Sequence, residues 1–119
     1  MIETYGYTSC TSCRKTDEQL RNAGVAFAGR DFFRNRFTRE ELIDVLERAG
    51  LAPREVLSKR SKVYKARSAE IDTLGDEALL ELMLEEPTLL RRPLVLGPNG
   101  TIVGHNATKL DAMIDADRK

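Results

Sequence analysis

Apolar and polar residues alternate from Ile2 to Tyr7, a run rich in Ile, Thr and Tyr, which predicts a short strand. From Cys13 to Asn22 the period becomes helical, and Gly24 stands where a helix stop is expected. Val25 to Asp31 reads as a second strand, parallel to the first through a β-α-β crossover. Phe32 and Phe33 follow, and an aromatic pair of that size is expected to plug the core. Thr38-Arg39-Glu40-Glu41 is a capping box, with Thr at the cap and Glu three residues on. Behind it Leu42, Val45, Leu46 and Ala49 recur at helical spacing until Gly50, a stripe that reads as core.

The stretch Leu51 to Ala69 has weak periodicity and many cations (Lys59, Arg60, Lys62, Lys65, Arg67), so it reads as a solvated surface of short helices. Asp76 is the expected cap of a helix carrying Leu79, Leu80, Met83 and Leu84, stopped near Pro87. Pro93 opens a strand, Leu94 to Leu96. Pro98-Asn99-Gly100 makes a tight turn, and Thr101 to Gly104 supplies the antiparallel partner. Asn106 caps a last helix with Leu110, Met113 and Ile114 on one face. The order is β-α-β, a helical insertion over approximately residues 36–88, then β-β-α. That is the order of an α/β, thioredoxin-like domain with a central mixed four-stranded sheet. In such a fold the proline before the third core strand, here Pro93, is cis and packs beside the active cysteine. A trans proline at a strand start is the plain alternative.

Composition narrows the picture only in part. At 119 residues the chain fits one domain spanning residues 1–119. Its 19 basic and 19 acidic side chains cancel, which argues against a globally basic nucleic-acid binder. The start, Met1-Ile2-Glu3-Thr4-Tyr5, lacks a charged leader and an apolar signal region, and no apolar run reaches the length of a membrane span. A cytoplasmic monomer, with no membrane or direct nucleic-acid contact, is the expectation.

Chemistry concentrates at Thr8-Ser9-Cys10-Thr11-Ser12-Cys13-Arg14-Lys15, which holds both cysteines of the chain at a strand-to-helix turn. Unpaired backbone N–H groups and the positive end of the helix dipole favour a thiolate there and can cradle an oxyanion. Cys10 would lie ahead of the helix and be the more exposed, and Cys13 would lie within its first turn. That asymmetry makes Cys10 the nucleophile and Cys13 the resolving thiol. Inert core cysteines are the bland alternative. A structural zinc site takes four ligands as a rule, and one CxxC with a distant His105 does not supply them, so no metal is expected.

With these residues in view, the chain resembles the arsenate reductase (ArsC) family and its Spx branch over almost its whole length. Cys10-Thr11-Ser12-Cys13-Arg14-Lys15 resembles the Spx redox switch, and Ser58-Lys59-Arg60-Ser61-Lys62-Val63-Tyr64 the family's second motif. Leu89-Leu90-Arg91-Arg92-Pro93 before an apolar strand is similar to its Arg-Pro motif, and Gly104-His105-Asn106 to its final strand-to-helix turn. The resemblance implies that Cys10 attacks arsenate or a similar oxyanion. Thr11, Ser12, Arg60 and Arg92 would bind the oxyanion, and Pro93 would shape the site. Guanidinium groups suit that task because they are always charged and planar. The family's third arginine is replaced by His105, which offers no fixed charge.

Two functions of different class follow from the resemblance. In the first, Cys13 resolves the adduct to a disulfide that an external thiol reductant, thioredoxin or glutathione with glutaredoxin, reduces again, and no metal or organic cofactor takes part. In the second, an Spx-like regulator, the same disulfide governs binding to the C-terminal domain of the RNA polymerase α-subunit. The oxyanion-ready residues and the short tail, Asp115 to Lys119, favour the reductase. Cys13 and the missing arginine favour the regulator.

Overall fold

The computed structural model describes residues 1–118. The chain forms two compact units, one of Met1–Asn35 with the chain from Arg92 onward, the other of Arg36–Arg91. The first unit holds β1 (Ile2–Gly6), α1 (Thr11–Asn22), β2 (Phe27–Asp31), β3 (Leu94–Gly97), β4 (Gly100–Val103) and α5 (Ala107–Arg118). The second holds α2 (Arg39–Ala49), α3 (Lys62–Ile71) and α4 (Asp76–Glu85), with short 3₁₀ turns at Pro53–Val56 and Pro87–Leu89.

In the first unit the strands make one mixed sheet in the order β2-β1-β3-β4. β1 runs parallel to β2 and antiparallel to β3, and β3 is antiparallel to β4. With its β-α-β and β-β-α halves, this is the expected thioredoxin-like α/β architecture. Side chains alternate across a strand, so the register brings Ile2 and Thr4 to the same face as Val95 and Ile102. On that face Ile2, Val95 and Ile102 cluster with Leu20 of α1 and with Leu110, Met113 and Ile114 of α5. Gly97 lets α5 come close: a Cβ there would stand 2.5 Å from the Met113 side chain. Polar ties then fasten α1 to α5. Gln19 Nε2 donates to the Ala107 carbonyl (3.0 Å) and to Asp111 Oδ1 (2.8 Å), and Arg118 donates to the Ala23 carbonyl. Asn106 Oδ1 caps α5 by accepting from the Lys109 amide at 3.0 Å.

In the second unit the capping box forms as expected: Thr38 Oγ1 accepts from the Glu41 amide at 3.2 Å, and the Glu41 carboxylate accepts from the Thr38 amide at 2.9 Å. Leu42, Val45 and Leu46 are buried along α2, which stops at left-handed Gly50. Arg36 donates to the Leu84 and Glu85 carbonyls, satisfying acceptors that the end of α4 leaves open.

Several details depart from the sequence pattern, among them that β2 begins at Phe27 and not Val25, and β4 spans Gly100–Val103 and not Thr101 to Gly104. Helix α1 begins at Thr11, two residues before the predicted Cys13, because Cys10 itself is the cap. The cap of α4 is Gly75, and Asp76 is its first helical residue. The stretch 51–69 is not only surface: Val56 and Leu57 are buried, and Leu57 bridges to Leu90. They lie in or beside a 3₁₀ turn, too short to show a helical period. Finally, Phe32 is buried at 1 % exposure, whereas Phe33 is half-exposed and does not plug the core. Among the described residues no helix is long and apolar enough to cross a membrane.

Leu20, with 0 % exposure, is the chief apolar anchor of α1. Leu20→Ala is expected to destabilise the protein by about 3 kcal/mol, read from the shift of a urea unfolding curve, through lost burial and the cavity left behind.

Candidate active site

The site begins where β1 ends. After Gly6 and Tyr7 the chain turns through Thr8 and Ser9, and the Cys10 amide donates back to the Tyr7 carbonyl at 3.2 Å. Cys10 is extended (φ −84°, ψ 121°) and caps α1, its Sγ accepting from the Cys13 amide at 3.3 Å. The first-turn amides that such a sulfur faces are the groups that would hold an anion. No acidic residue stands in the first turn to oppose it. Thr11 is exposed and Ser12 half-buried in that turn, followed by exposed Arg14 and Lys15.

Cys13 differs. It is buried at 6 % exposure, and both thiols are free. Burial pushes the Cys13 thiol from its ordinary 9.0 up to about 12, with its side-chain hydrogen bond to Cys10 adding to the rise. The Tyr7 backbone and the Arg92 charge pull the other way, and desolvation wins. The room for Cys13 comes from Gly6: a Cβ on Gly6 would stand 2.5 Å from Cys13 Sγ and 3.3 Å from its Cβ. The two cysteines are therefore an outer and an inner thiol, as their spacing predicts.

The Arg92–Pro93 peptide bond is cis. Pro93 Cβ lies 3.8 Å from where a Gly6 Cβ would be, beside the inner cysteine. The Arg92 guanidinium sits over the Tyr7 ring, 4.4 Å from its centroid, and 5.6 Å from that of Phe33. Tyr7 and Phe33 stack at 4.1 Å with 13° between planes, and Phe32 meets Phe33 edge-on at 5.3 Å. Cation–π attraction thus holds Arg92. Sequence pattern does not reveal this platform, because Phe33 reads there as core and Tyr7 as a strand aromatic. The alternation around β1 is the one signal that could have found it, since Tyr7 follows the strand's last buried residue.

Arg60 is exposed and belongs to the second unit, just ahead of Ser61, the cap of α3. Cys10, Thr11, Ser12, Cys13, Arg92 and Pro93 are together in the first unit. His105 is half-buried, with Nδ1 3.0 Å from Oγ1 of buried Thr16. An open cavity of about 810 Å³ lies beside the inner cysteine, lined by Thr4, Gly6, Cys13, Asp17, Gly29 and Pro93 among others. Among the described residues no group of three or more His, Cys, Asp or Glu side chains is placed to hold a metal ion.

The model of the ArsC family matches residues 5–113, from the end of β1 through most of α5. The chain belongs to the ArsC family. This ArsC-family chain is similar to the regulatory protein MgsR of Bacillus subtilis, with 38 % identity over 106 residues, 89 % of this chain and 84 % of that protein. It is also similar to the global transcriptional regulator Spx of Streptococcus agalactiae, with 33 % identity over 117 residues, 98 % of this chain and 85 % of that one. Among solved structures, an arsenate reductase from Vibrio cholerae superposes with a TM-score of 0.80 at 25 % identity, covering 94 % of this chain and 96 % of that one.

Two outcomes follow from this geometry. Gly6→Ala should push the inner sulfur out of line and slow closure of the Cys10–Cys13 disulfide by about 10²-fold, measured by loss of free thiols after an oxidant pulse. The raised Cys13 value also links stability to pH. The folded state keeps the thiol neutral, so its contribution is complete below about 9 and is lost as pH climbs towards about 12. Urea midpoints of the reduced protein should fall across that window, and Cys13→Ala should flatten the fall.

Proposed function

We propose that this ArsC-family protein is a thiol-dependent oxidoreductase of the arsenate reductase type. The observation that carries the reading is the pairing of an outer thiol, capping α1 on the Cys13 amide, with an inner thiol shielded behind it. An arsenate reductase of the same fold supports it.

The chemistry follows from those two positions. The Cys10 thiolate attacks the arsenic of arsenate, and one arsenate hydroxyl takes a proton from solvent and leaves as water. The amides of the first turn, with Thr11 and Ser12, receive the remaining oxygens, and Arg92, braced on Tyr7 and Phe33, adds fixed positive charge. Arg60 is proposed as a second guanidinium by resemblance of its motif. Cys13 then attacks Cys10 Sγ, the sulfur–arsenic bond breaks with its electron pair on arsenic, and arsenite departs. The Cys10–Cys13 disulfide is returned to two thiols by thioredoxin, or by glutathione with glutaredoxin, in the cytoplasm. The protein's own residues suffice for this sequence, with the reductant supplied from outside.

A second reading rests on the regulators among its relatives. In that reading the disulfide is a sensor whose state governs binding to the C-terminal domain of the RNA polymerase α-subunit. His105 favours it, because a ring held by Thr16 supplies no fixed charge to an oxyanion.

The deciding measurement is arsenate-dependent NADPH consumption by the purified protein, once with thioredoxin and its reductase and once with glutathione, glutaredoxin and glutathione reductase. Turnover in either system, abolished by Cys10→Ser, is the expected result and names the reductant. Silence in both from reduced, folded protein would reject the reductase and predict redox-dependent retention of RNA polymerase instead.

A further inference from the structure

The inner thiol poses a problem that the two cysteines cannot solve alone. To attack a bond at Cys10, Cys13 must first lose its proton, and burial opposes that loss. A proton acceptor is needed on the side of Cys13 that faces the cavity, away from its bond to Cys10. The cavity of about 810 Å³ supplies the route. Cys13 lines it, and the strands open its floor: Gly6 carries no side chain in front of Cys13, and Gly29 none in front of Thr4, whose Oγ1 would lie 3.1 Å from a Cβ there.

The charged groups on this cavity are Arg14, Asp17, Glu18 and Arg21 from α1, and Arg30 and Asp31 from β2. Among its carboxylates Asp17 has the geometry. It stands four residues after Cys13 on the same helix, and side chains at that separation share a face. Asp31 is engaged at the end of β2, its Oδ1 accepting from the Phe33 and Arg34 amides at 2.9 and 3.2 Å. Glu18 is exposed and lies five positions from Cys13, turned away from its row, whereas Asp17 is half-buried. Partial desolvation also raises Asp17 from its ordinary value, with Arg21 opposing the rise. The direction is the one that makes a carboxylate a better base.

We propose that Asp17 is the proton acceptor for Cys13 in the step that closes the disulfide. The Cys13 proton passes across the cavity to the Asp17 carboxylate, and the Cys13 sulfur forms its bond to Cys10 Sγ. The bond from Cys10 to the attached group breaks, and that group leaves with the electron pair. The proton then passes to solvent or to the departing group. The inference rests on the dithiol reading of the site and holds for a reductase and a sensor alike.

The test is stopped-flow reaction of the fully reduced protein with 5,5′-dithiobis(2-nitrobenzoate) from pH 5 to 9. Cys10 releases the first equivalent of thionitrobenzoate, and Cys13 releases the second by attacking the mixed disulfide. Asp17→Asn should leave the first phase unchanged and slow the second on the order of 10²-fold at pH 7. The wild-type inflection from the carboxylate should vanish, leaving a rate first order in hydroxide, and Asp17→Glu should restore it in part. A second phase indifferent to Asp17→Asn overturns the inference. If that variant fails to fold, the wild-type profile decides, because a second phase first order in hydroxide across the whole range also overturns it. Release of a single equivalent by wild type would reject the dithiol reading itself, a separate outcome from failure of the Asp17 role.

Discussion

The contact on which the first unit depends is the approach of α1 to the end of β1 at Gly6. A side chain there would occupy the space of the Cys13 sulfur, so the helix N-terminus comes down directly on the strand. That closeness turns two chemically identical residues into different reagents. Cys10 remains at the rim with helix amides facing its sulfur, whereas Cys13 loses its water and with it the ability to ionise easily. Desolvation outweighs both the Tyr7 backbone and the Arg92 charge. The division of labour between the thiols is a consequence of depth.

The second element of the site is electrostatic and is fixed by aromatic surfaces. Tyr7 leaves β1, Phe33 follows β2 and Arg92 precedes β3, so three separate segments converge on one stack. The parallel register of β1 and β2, which pairs Gly6 with Asp31, makes the segments carrying the two rings leave the sheet at the same end. Rings hold a guanidinium through their quadrupole and contact area and carry no net charge themselves. They can therefore orient Arg92 without cancelling the field it casts on Cys13.

Much of this was legible in the sequence because local rules and tertiary demands agree. The period-2 run of β1, the capping box at Thr38, the stripe of α2, the Pro98–Asn99 turn and the Asn106 cap each form where the pattern predicts. The cysteine pair was legible through spacing alone, since a strand-to-helix turn leaves one thiol outside and one inside. What pattern misses are features made by distance in space. Val56 and Leu57 sit amid charges and a 3₁₀ turn, where no period advertises burial. Phe33 looks like its buried neighbour Phe32, and only the position of Tyr7 gives its ring a partner outside the core. The cavity behind Cys13 is invisible for the same reason: it is made by what Gly6 and Gly29 lack, on two strands more than 20 residues apart.

The polar ties of α1 carry a mechanical meaning of their own. Thr16 is bonded to His105, Gln19 to Ala107 and Asp111, and the Ala23 carbonyl to Arg118, so successive turns of the helix are moored to α5 or to the turn before it. Leu20 anchors the face between them. A helix moored along its length carries Cys13 on a frame shared with α5. Cys10 stands instead at the end of the short turn through Thr8 and Ser9, where both residues are exposed. The inner thiol thus belongs to the framework of the unit and the outer one to its rim.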